Sequence, residues 1–551
     1  MSLEEVPLVT VPADSLIATE AAALDLEGGA PVVPVVSTGL SSETKGHLVS
    51  GTAALATGVM LERGAGFLAN ILAARLGGAP VFGAYSLAIS TANNISTYAA
   101  GGIGATATRF SGKYPYGSGS YAVLARVLAV VSLASALMAG AALWFGAGPI
   151  AHLLGKDSLT SLLRWASISA VGIIVLECAR GFFVGQRRIA ALLLLSVFVG
   201  GGMLLFLPWA AAAHNPSRMI LAQGCVTGGA VLLCLLFASK LRLKDREVQR
   251  YRFAPMLREV WGFGFVQLAG LVGSNLAGWW LTTLIARSDT TLVQMSFFAI
   301  ASQLRNLAGI APGLMTEGSY AVMASPDDAD ARTPHRVMAL CSFASLSVAL
   351  VLGCAGMAIA PWLLQLLYGA TYRAAGLTAA MALAVAVVHM GNAPAAARLT
   401  IVSVRTTGAI NTGWAIFVAV AGTLLLLHGG AAWQGMAILL AAHLLSSTLV
   451  LSALHRRDQL PEGMALVYGV GALASVVLAS LALLRASHPG KEGLLTLAML
   501  LVAAGTSAAL FLLGRRYRWL PSKQSLQALV AKLRSRASGL GKGSVVGGSH
   551  V

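Results

Sequence analysis

Apolar stretches of 18 residues or more recur from about residue 48 to about residue 515, separated by short segments rich in Gly, Pro and charge. A helix needs about 20 apolar residues to cross roughly 30 Å of hydrocarbon. The short alternating segments that are typical of membrane β-barrels do not occur in the sequence. The pattern therefore predicts an all-α, polytopic membrane protein. We place about fourteen transmembrane helices near residues 48–75, 84–107, 122–147, 159–183, 189–211, 219–239, 258–286, 292–318, 337–361, 375–402, 408–427, 432–454, 464–485 and 492–514.

Composition supports lipid as the solvent of this chain. Of the 551 residues 57% are hydrophobic and only 11% are charged, whereas about a quarter of the residues of a soluble domain are charged. The net charge of +17 would suggest nucleic acid in a soluble protein. Here the basic residues lie mostly in short loops and tails beside the spans, so we expect membrane lipids, and no nucleic acid, as their counterpart.

Charge also predicts the orientation. With the amino terminus inside, 25 Lys and Arg residues fall on the inner side and eight on the outer side. This bias favours both termini in the cytoplasm. The first 46 residues carry seven acidic residues, only one basic residue and no apolar core. That composition argues against a cleavable signal peptide and indicates a disordered acidic tail.

An internal repeat links the two parts of the chain on either side of a basic loop, Lys240 to Arg252. Laying Leu72 to Gly101 over Leu284 to Gly313, at an offset of 212, gives eight identities in thirty positions. About two or three would be expected by chance in so biased a composition. An even number of spans separates the copies, so they share one orientation and are related by an axis along the membrane normal. The repeat predicts two pseudo-symmetric six-helix lobes around a central cleft, followed by two extra helices.

The predicted organisation has six parts. They are an acidic cytoplasmic tail (1–46), an N-lobe (47–240), a basic linker (241–257), a C-lobe (258–455), two further helices (456–515) and a basic cytoplasmic tail (516–551).

Arg63 is the leading candidate for a functional residue. It lies near the midplane of the first span, between Glu62 and two glycines, Gly64 and Gly66. A charged side chain at this depth costs about 2.5–3.5 kcal/mol, so it normally faces a cavity or a partner. One interpretation places Arg63 in the cleft. The alternative is a structural ion pair with Glu62 or Glu177.

Polar residues also follow one face of the eighth span and its repeat partner, the second span. Their spacing is helical, which is typical of facing walls of a cleft, although small residues also serve helix packing in lipid. The eighth span contributes Ser302, Arg305, Asn306, Gly309 and Gly313, and the second span contributes Ser90, Asn94, Thr97 and Gly101.

Four titratable residues within spans are candidates for ion or proton coupling: Glu62, Glu177, His389 and His443. Glu177 and Arg180 are one turn apart, which favours a local pair. An uncharged, hydrogen-bonded histidine is commoner than a proton carrier. No Walker loop, zinc site or catalytic triad occurs. We therefore expect no enzyme activity, no cofactor and no metal.

The opening of the chain resembles the Wzx-like polysaccharide-unit flippases of the multidrug/oligosaccharidyl-lipid/polysaccharide exporter superfamily. The clear part of the resemblance covers about fifty residues, and Gly77-Gly78-Ala79-Pro80 stands where that family often has an acidic turn. The matching residues are Leu61-Glu62-Arg63-Gly64-Ala65-Gly66-Phe67, Ala73-Ala74-Arg75-Leu76-Gly77, Phe82-Gly83-Ala84-Tyr85-Ser86, Gly102-Ile103-Gly104 and Arg109-Phe110.

This resemblance implies a flippase that moves an undecaprenyl-pyrophosphate-linked oligosaccharide across a bacterial inner membrane for surface or exopolysaccharide biosynthesis, beside a polymerase and export machinery. Arg63 and Arg305 would hold the anionic head, because guanidinium groups pair well with phosphate oxygens. Asn94, Asn306 and Ser302 would bond the head or the sugar hydroxyls.

Other functions compete with this one. An ion-coupled multidrug or organic-cation antiporter of the same superfamily should prefer acidic groups in its cleft, and here deep arginines outnumber acids. A cell-wall lipid-precursor flippase is a further alternative, closely related to the polysaccharide-unit flippases. A membrane glycosyltransferase or polymerase would need carboxylates or a long loop on the outer face, where only Asp157, Asp289 and Glu492 occur.

Overall fold

The computed structural model describes residues 42–114, 117–239, 252–324, 333–517 and 519, and within these ranges every long element is an α-helix. Most of the predicted acidic tail, of the basic linker and of the basic carboxyl tail lies outside the described residues, whereas residues 42–46 of the acidic tail are helical. The fifteen α-helices of the described part are α1 (Ser42–Gly77), α2 (Ala79–Ala100), α3 (Ile103–Lys113), α4 (Gly119–Leu153), α5 (Thr160–Gly185), α6 (Ile189–Ala211), α7 (Pro216–Ser239), α8 (Phe253–Ser288), α9 (Val293–Ala324), α10 (Thr333–Tyr368), α11 (Gly376–Val402), α12 (Val404–Leu426), α13 (Ala432–His455), α14 (Met464–Ser487) and α15 (Glu492–Arg516).

Ten of these helices are long and apolar enough to cross a membrane, namely α4 to α7 and α10 to α15. The chain is therefore a multi-pass, all-α membrane protein, as predicted. Four further helices of at least 22 residues, α1, α2, α8 and α9, coincide with the first, second, seventh and eighth predicted spans. These four carry polar residues within their apolar stretches. The helices richest in polar groups thus occupy the same two places in each predicted lobe.

The second predicted span is two helices rather than one. Gly101 and Gly102 have φ values of 52° and 72°, and they separate α2 from α3. This left-handed conformation is one that glycine adopts without steric cost. The Gly101 amide still donates to the carbonyl of Thr97, which closes the last turn of α2. The prediction of a continuous helix over residues 84–107 was wrong at this point.

Helix packing follows the same scheme in both parts of the chain. Among residues 42–239, α1 packs on α6, α4 on α5, and α5 on α7; among the later helices, α8 packs on α12, α10 on α11, and α11 on α13. The repeat partners α2 and α9 contact each other and so join the two sets. Helices α14 and α15 pack against α10 and α11.

A pair of equivalent hydrogen bonds connects the two sets at one end of the bundle. Arg75, near the end of α1, donates Nη1–H to the carbonyl of Leu366 at 3.2 Å, and Arg287, near the end of α8, donates Nη1–H to the carbonyl of Leu153 at 3.2 Å. Both carbonyls lie in the last turn of a helix, where no intrahelical partner is available. Arg75 and Arg287 are also partners in the sequence repeat. We call these two bonds the arginine clasp.

Other contacts at the same end are equally close. The Tyr372 hydroxyl donates to the carbonyl of Ala74 at 3.3 Å and lies 3.2 Å from the Ser296 hydroxyl. Gly83 of α2 approaches Leu292 so closely that a Cβ at Gly83 would overlap the Leu292 carbonyl. The backbones meet here because residue 83 has no side chain.

At the opposite end, the start of α8 lies against α3. Lys113 Nζ is 2.9 Å from Glu259 Oε1, and this hydrogen bond raises the pKa of Lys113. The Arg109 guanidinium carbon lies 4.6 Å from the centre of the Phe263 ring, a cation–π contact. A Cβ at Gly264 would lie 2.8 Å from the carbonyl oxygen of Gly101, so α8 approaches the break between α2 and α3 through a glycine.

Candidate functional site

The first cluster of buried charge joins α1 to α5. Arg180 of α5 forms an ion pair with Glu62 of α1 through Nη2, and its Nη1 lies 3.7 Å from Glu177 Oε1. The Arg180 side chain is 11% exposed and the Glu62 side chain 19%. One guanidinium thus pairs with two carboxylates, and this pairing offsets the desolvation free energy of the buried charges.

Arg63 lies beside this cluster and is left with unused hydrogen-bonding capacity. One alternative paired Arg63 with Glu62, and that pairing was wrong, because Glu62 bonds Arg180 instead. Arg63 is close enough to Glu177 for electrostatic interaction. Its Nε atom is buried and has no hydrogen-bond partner within the described part of the chain.

Open space adjoins Arg63. Gly64 and Gly66 are both half-buried, and a Cβ added at either would meet no atom within 4 Å. A half-buried arginine that adjoins open space is compatible with the predicted position on a cleft wall.

The second cluster lies on α9, α11, α12 and α13. Arg305 donates from Nε and Nη2 to Asn306 Oδ1 at 3.4 and 3.5 Å. The rings of His389 and His443 lie 4.4 Å apart between centroids, and the Trp414 ring lies 5.4 Å from that of His443. Arg305 is close enough to both histidines for electrostatic interaction. The structure therefore places Arg305 in a cluster with the two histidines, whereas Arg63 lies in the acidic cluster of α1 and α5.

The predicted polar stripes lie on helices that touch, because α2 contacts α9. Asn94 accepts a hydrogen bond from the Tyr98 hydroxyl at 3.1 Å and donates to the carbonyl of Ser90 at 3.5 Å. Ser302 is half-buried on α9. Part of the bonding capacity of this stripe is thus used within its own helices.

Asn275 is a candidate that the sequence prediction missed. Its side chain on α8 is buried at 2% exposure, and neither Nδ2 nor Oδ1 has a hydrogen-bond partner among the described residues. Asn275 stands 212 positions after Arg63, so it is the repeat partner of that residue. The repeat was traced only from Leu72 onwards. Extending the same alignment backwards adds the identities Gly58/Gly270, Ala65/Ala277 and Gly66/Gly278, and that extension would have found Asn275.

The surroundings of Asn275 match those of Arg63. Gly278 is half-buried, and a Cβ there would meet no atom within 4 Å, as at Gly66. Helices α1 and α8 thus each present one polar side chain with unbonded atoms beside a glycine that borders open space. No group of three or more His, Cys, Asp and Glu side chains suited to a metal ion occurs in the described part of the chain.

Comparison with protein families identifies one match. Residues 48–316 match the model of a family described as polysaccharide biosynthesis protein. This segment contains α2 to α8 and most of α1 and α9. It includes the two clasp arginines, Arg75 and Arg287, and also Arg63 and Asn275. The comparison with curated protein sequences gave no match.

Two solved structures share the fold. The lipid II flippase MurJ, in an inward closed conformation, aligns with a TM-score of 0.58 at 13% identity and covers 84% of this chain and 98% of its own. An inward-facing multidrug resistance MATE family transporter of the MOP superfamily aligns with a TM-score of 0.51 at 14% identity, covering 72% of this chain and 96% of its own. Residues 48–316 thus resemble a polysaccharide biosynthesis family, and the chain shares its fold with a flippase and a transporter.

Proposed function

We propose that this protein is a flippase that carries an undecaprenyl-pyrophosphate-linked oligosaccharide from the cytoplasmic to the outer leaflet of a bacterial inner membrane, for surface or exopolysaccharide biosynthesis. The observation that carries the proposal is Arg63, a half-buried cation with an unbonded Nε beside open space. The family match to polysaccharide biosynthesis proteins supports it.

The proposed architecture has fourteen spans and both termini in the cytoplasm. Residues 47–240 form the N-lobe and residues 258–455 the C-lobe, and α14 and α15 are additional. The repeated packing scheme and the arginine clasp support this division. In this orientation the clasp lies at the outer surface and the contact of Lys113 with Glu259 lies at the inner surface.

The cargo explains why a cleft is needed. A pyrophosphate cannot cross hydrocarbon unaided, and sugar hydroxyls would lose their hydrogen bonds to water there. A guanidinium offers several N–H donors in a planar fork that matches phosphate oxygens. We assign Arg63 to the pyrophosphate and, on the facing lobe, Arg305 with Asn306 and Ser302 to the remaining polar groups. Asn94 completes the wall on α2.

Transport would proceed by alternate opening of the two ends. A typical intramolecular hydrogen bond contributes only about 0.5–1.5 kcal/mol to stability, so the binding free energy of the cargo can offset the two exposed bonds of the clasp. Opening the clasp exposes the cleft outward, and separating α3 from α8 exposes it inward. The polyprenyl tail would remain in the bilayer throughout.

Energy for this cycle would come from the membrane potential acting on the charged cargo or from a coupled ion. We assign the coupling role to the two buried clusters. Glu62 and Glu177 share one arginine, so protonation of either carboxylate leaves the other paired. His389 and His443 form the corresponding pair in the C-lobe.

A second candidate is a flippase for a cell-wall lipid precursor. The fold shared with the lipid II flippase MurJ favours it. Both candidate cargoes join a polyprenol to a sugar through pyrophosphate, so the same cleft chemistry serves either one.

The experiment is deletion of the gene followed by analysis of membrane lipids. We expect lipid-linked oligosaccharide to accumulate in the cytoplasmic leaflet and surface polysaccharide to disappear, while cell-wall synthesis continues. Re-expression of the intact chain should reverse both effects. Arrest of cell-wall synthesis would instead support the lipid-precursor flippase, and unchanged lipids with loss of drug resistance would contradict both.

A further inference from the structure

Asn275 is a buried amide whose bonding capacity is entirely unused among the described residues. Its side chain is 2% exposed, and both Nδ2 and Oδ1 lack partners there. A buried amide without hydrogen bonds loses free energy relative to water, so such a group calls for a partner, which can be a water molecule or a ligand. The residue lies well inside α8, far from the helix ends where local caps occur.

The orientation of this side chain follows from its neighbour on the helix. Trp279, one turn further along α8, donates its indole N–H to the Thr91 hydroxyl of α2 at 3.3 Å. Residues four apart share one helix face, so Asn275 also faces α2. The next turn of α2 after Thr91 carries Asn94. The open space beside Gly278 adjoins the same part of α8.

The chemistry of Asn275 differs from that of its repeat partner. The guanidinium of Arg63 only donates hydrogen bonds, and it matches an anion. An amide both donates and accepts, and it matches a hydroxyl, which does the same. A pyrophosphate-linked sugar presents both kinds of group next to each other.

We propose that Asn275 binds the sugar adjoining the pyrophosphate, and that it is a specificity-determining residue for glycan-bearing lipid. The proposal rests on the flippase function argued above. The N-lobe wall of the cleft holds the anionic head through Arg63, and the equivalent position of the C-lobe wall selects cargo that carries a glycan.

Two lipids test this assignment with the purified full chain. One is the lipid-linked oligosaccharide extracted from the deletion strain, and the other is undecaprenyl pyrophosphate. We expect Asn275→Leu to weaken binding of the oligosaccharide lipid about tenfold, as expected for loss of one or two neutral hydrogen bonds. Binding of undecaprenyl pyrophosphate should stay unchanged. Arg63→Ala should weaken binding of both lipids.

Asn392→Leu is the matched control, because Asn392 of α11 is also buried, at 7% exposure, with an unpartnered Oδ1. It should bind both lipids as the unaltered protein does. Asn275→Ala replaces the leucine variant if the latter does not fold, and it should show the same selective loss.

Equal weakening for both lipids, or no change for either, in the Asn275 variants would overturn the proposal. A selective loss in the Asn392 control would overturn it too. Failure of the flippase function itself would look different, since the unaltered protein would then bind neither lipid.

Discussion

Helices α1 and α8 hold the same position in the two halves of the chain, and they are alike at one end and different in the middle. Their ends carry Arg75 and Arg287, which make the same bond to the last turn of a helix in the other half. Their middles carry Arg63 and Asn275, a cation and a neutral amide. In the proposed flippase the equivalent ends would serve closure, and the different middles would give the two walls of the cleft unequal chemistry.

The glycines beside Arg63 and Asn275 are nevertheless alike in the two helices. Gly66 and Gly278 are repeat partners, and each borders open space. Two lobes that must close together benefit from equal contacts at their ends. The proposed cargo, with an anionic head and neutral sugars, has no symmetry, so it would require different groups on the two walls.

The largest effect is expected from removing the charge of Arg63. Arg63→Ala should lower polysaccharide export at least about thirtyfold, because a buried charge-assisted contact to the cargo is lost. Arg126→Ala, which removes an exposed arginine of α4, should have little effect. Complementation of the deletion strain, with membrane abundance measured in parallel, checks both. Full export by the Arg63 variant at normal abundance would refute the site.

Filling the open space should have the next largest effect. Gly66→Leu and Gly278→Leu should each reduce export by about tenfold, since the new side chain occupies the volume meant for cargo while improving helix propensity. Gly505→Leu is the control, because Gly505 is exposed on α15 and also borders open space. If all three variants export equally well, the space beside Gly66 and Gly278 is not the cleft.

Breaking the clasp should change access rather than binding. Arg75→Ala and Arg287→Ala should each increase outer-side labelling of a cysteine placed at Ser90, in a chain without native cysteines, by several-fold. The two single variants should match, and the double variant should exceed both, because the bonds are equivalent and each is expected to stabilise closure by about 0.5–1.5 kcal/mol. A membrane-impermeant maleimide measures the effect. Labelling that rises in one single variant alone would show that the clasp is not symmetric in function.

The smallest effect is expected at the end of the bundle opposite the clasp, where Lys113 pairs with Glu259. The side chains of Lys113 and Glu259 are 53% and 47% exposed, so their pairing stabilises the fold by at most about 1 kcal/mol. The pKa of Lys113 is raised by Glu259, so this stabilisation is complete below the unfolded-state pKa and is lost as pH rises through the folded-state pKa. Lys113→Ala should therefore lower the unfolding temperature slightly at neutral pH, and less in strong alkali. A larger decrease in unfolding temperature in alkali than at neutral pH would contradict this prediction.

Hydropathy alone predicted the helices well, because crossing hydrocarbon requires a long apolar run that is visible in the sequence. The break at Gly101 was missed, since glycine inside a span is equally typical of close helix packing. The pairing of Glu62 with Arg180 was missed because sequence spacing reveals only local partners such as Glu177. The repeat aligns Arg75 with Arg287, but the sequence did not reveal their bonds, because these depend on how the two halves meet.

Transport by the purified protein is the most direct test of the flippase function. The full chain is placed in liposomes that carry the extracted lipid-linked oligosaccharide, and the glycan exposed on each leaflet is measured with a membrane-impermeant lectin or glycosidase. We predict that the unaltered protein moves the glycan between leaflets and that Arg63→Ala does not. No transfer by the unaltered protein, or equal transfer by the variant, would contradict the account.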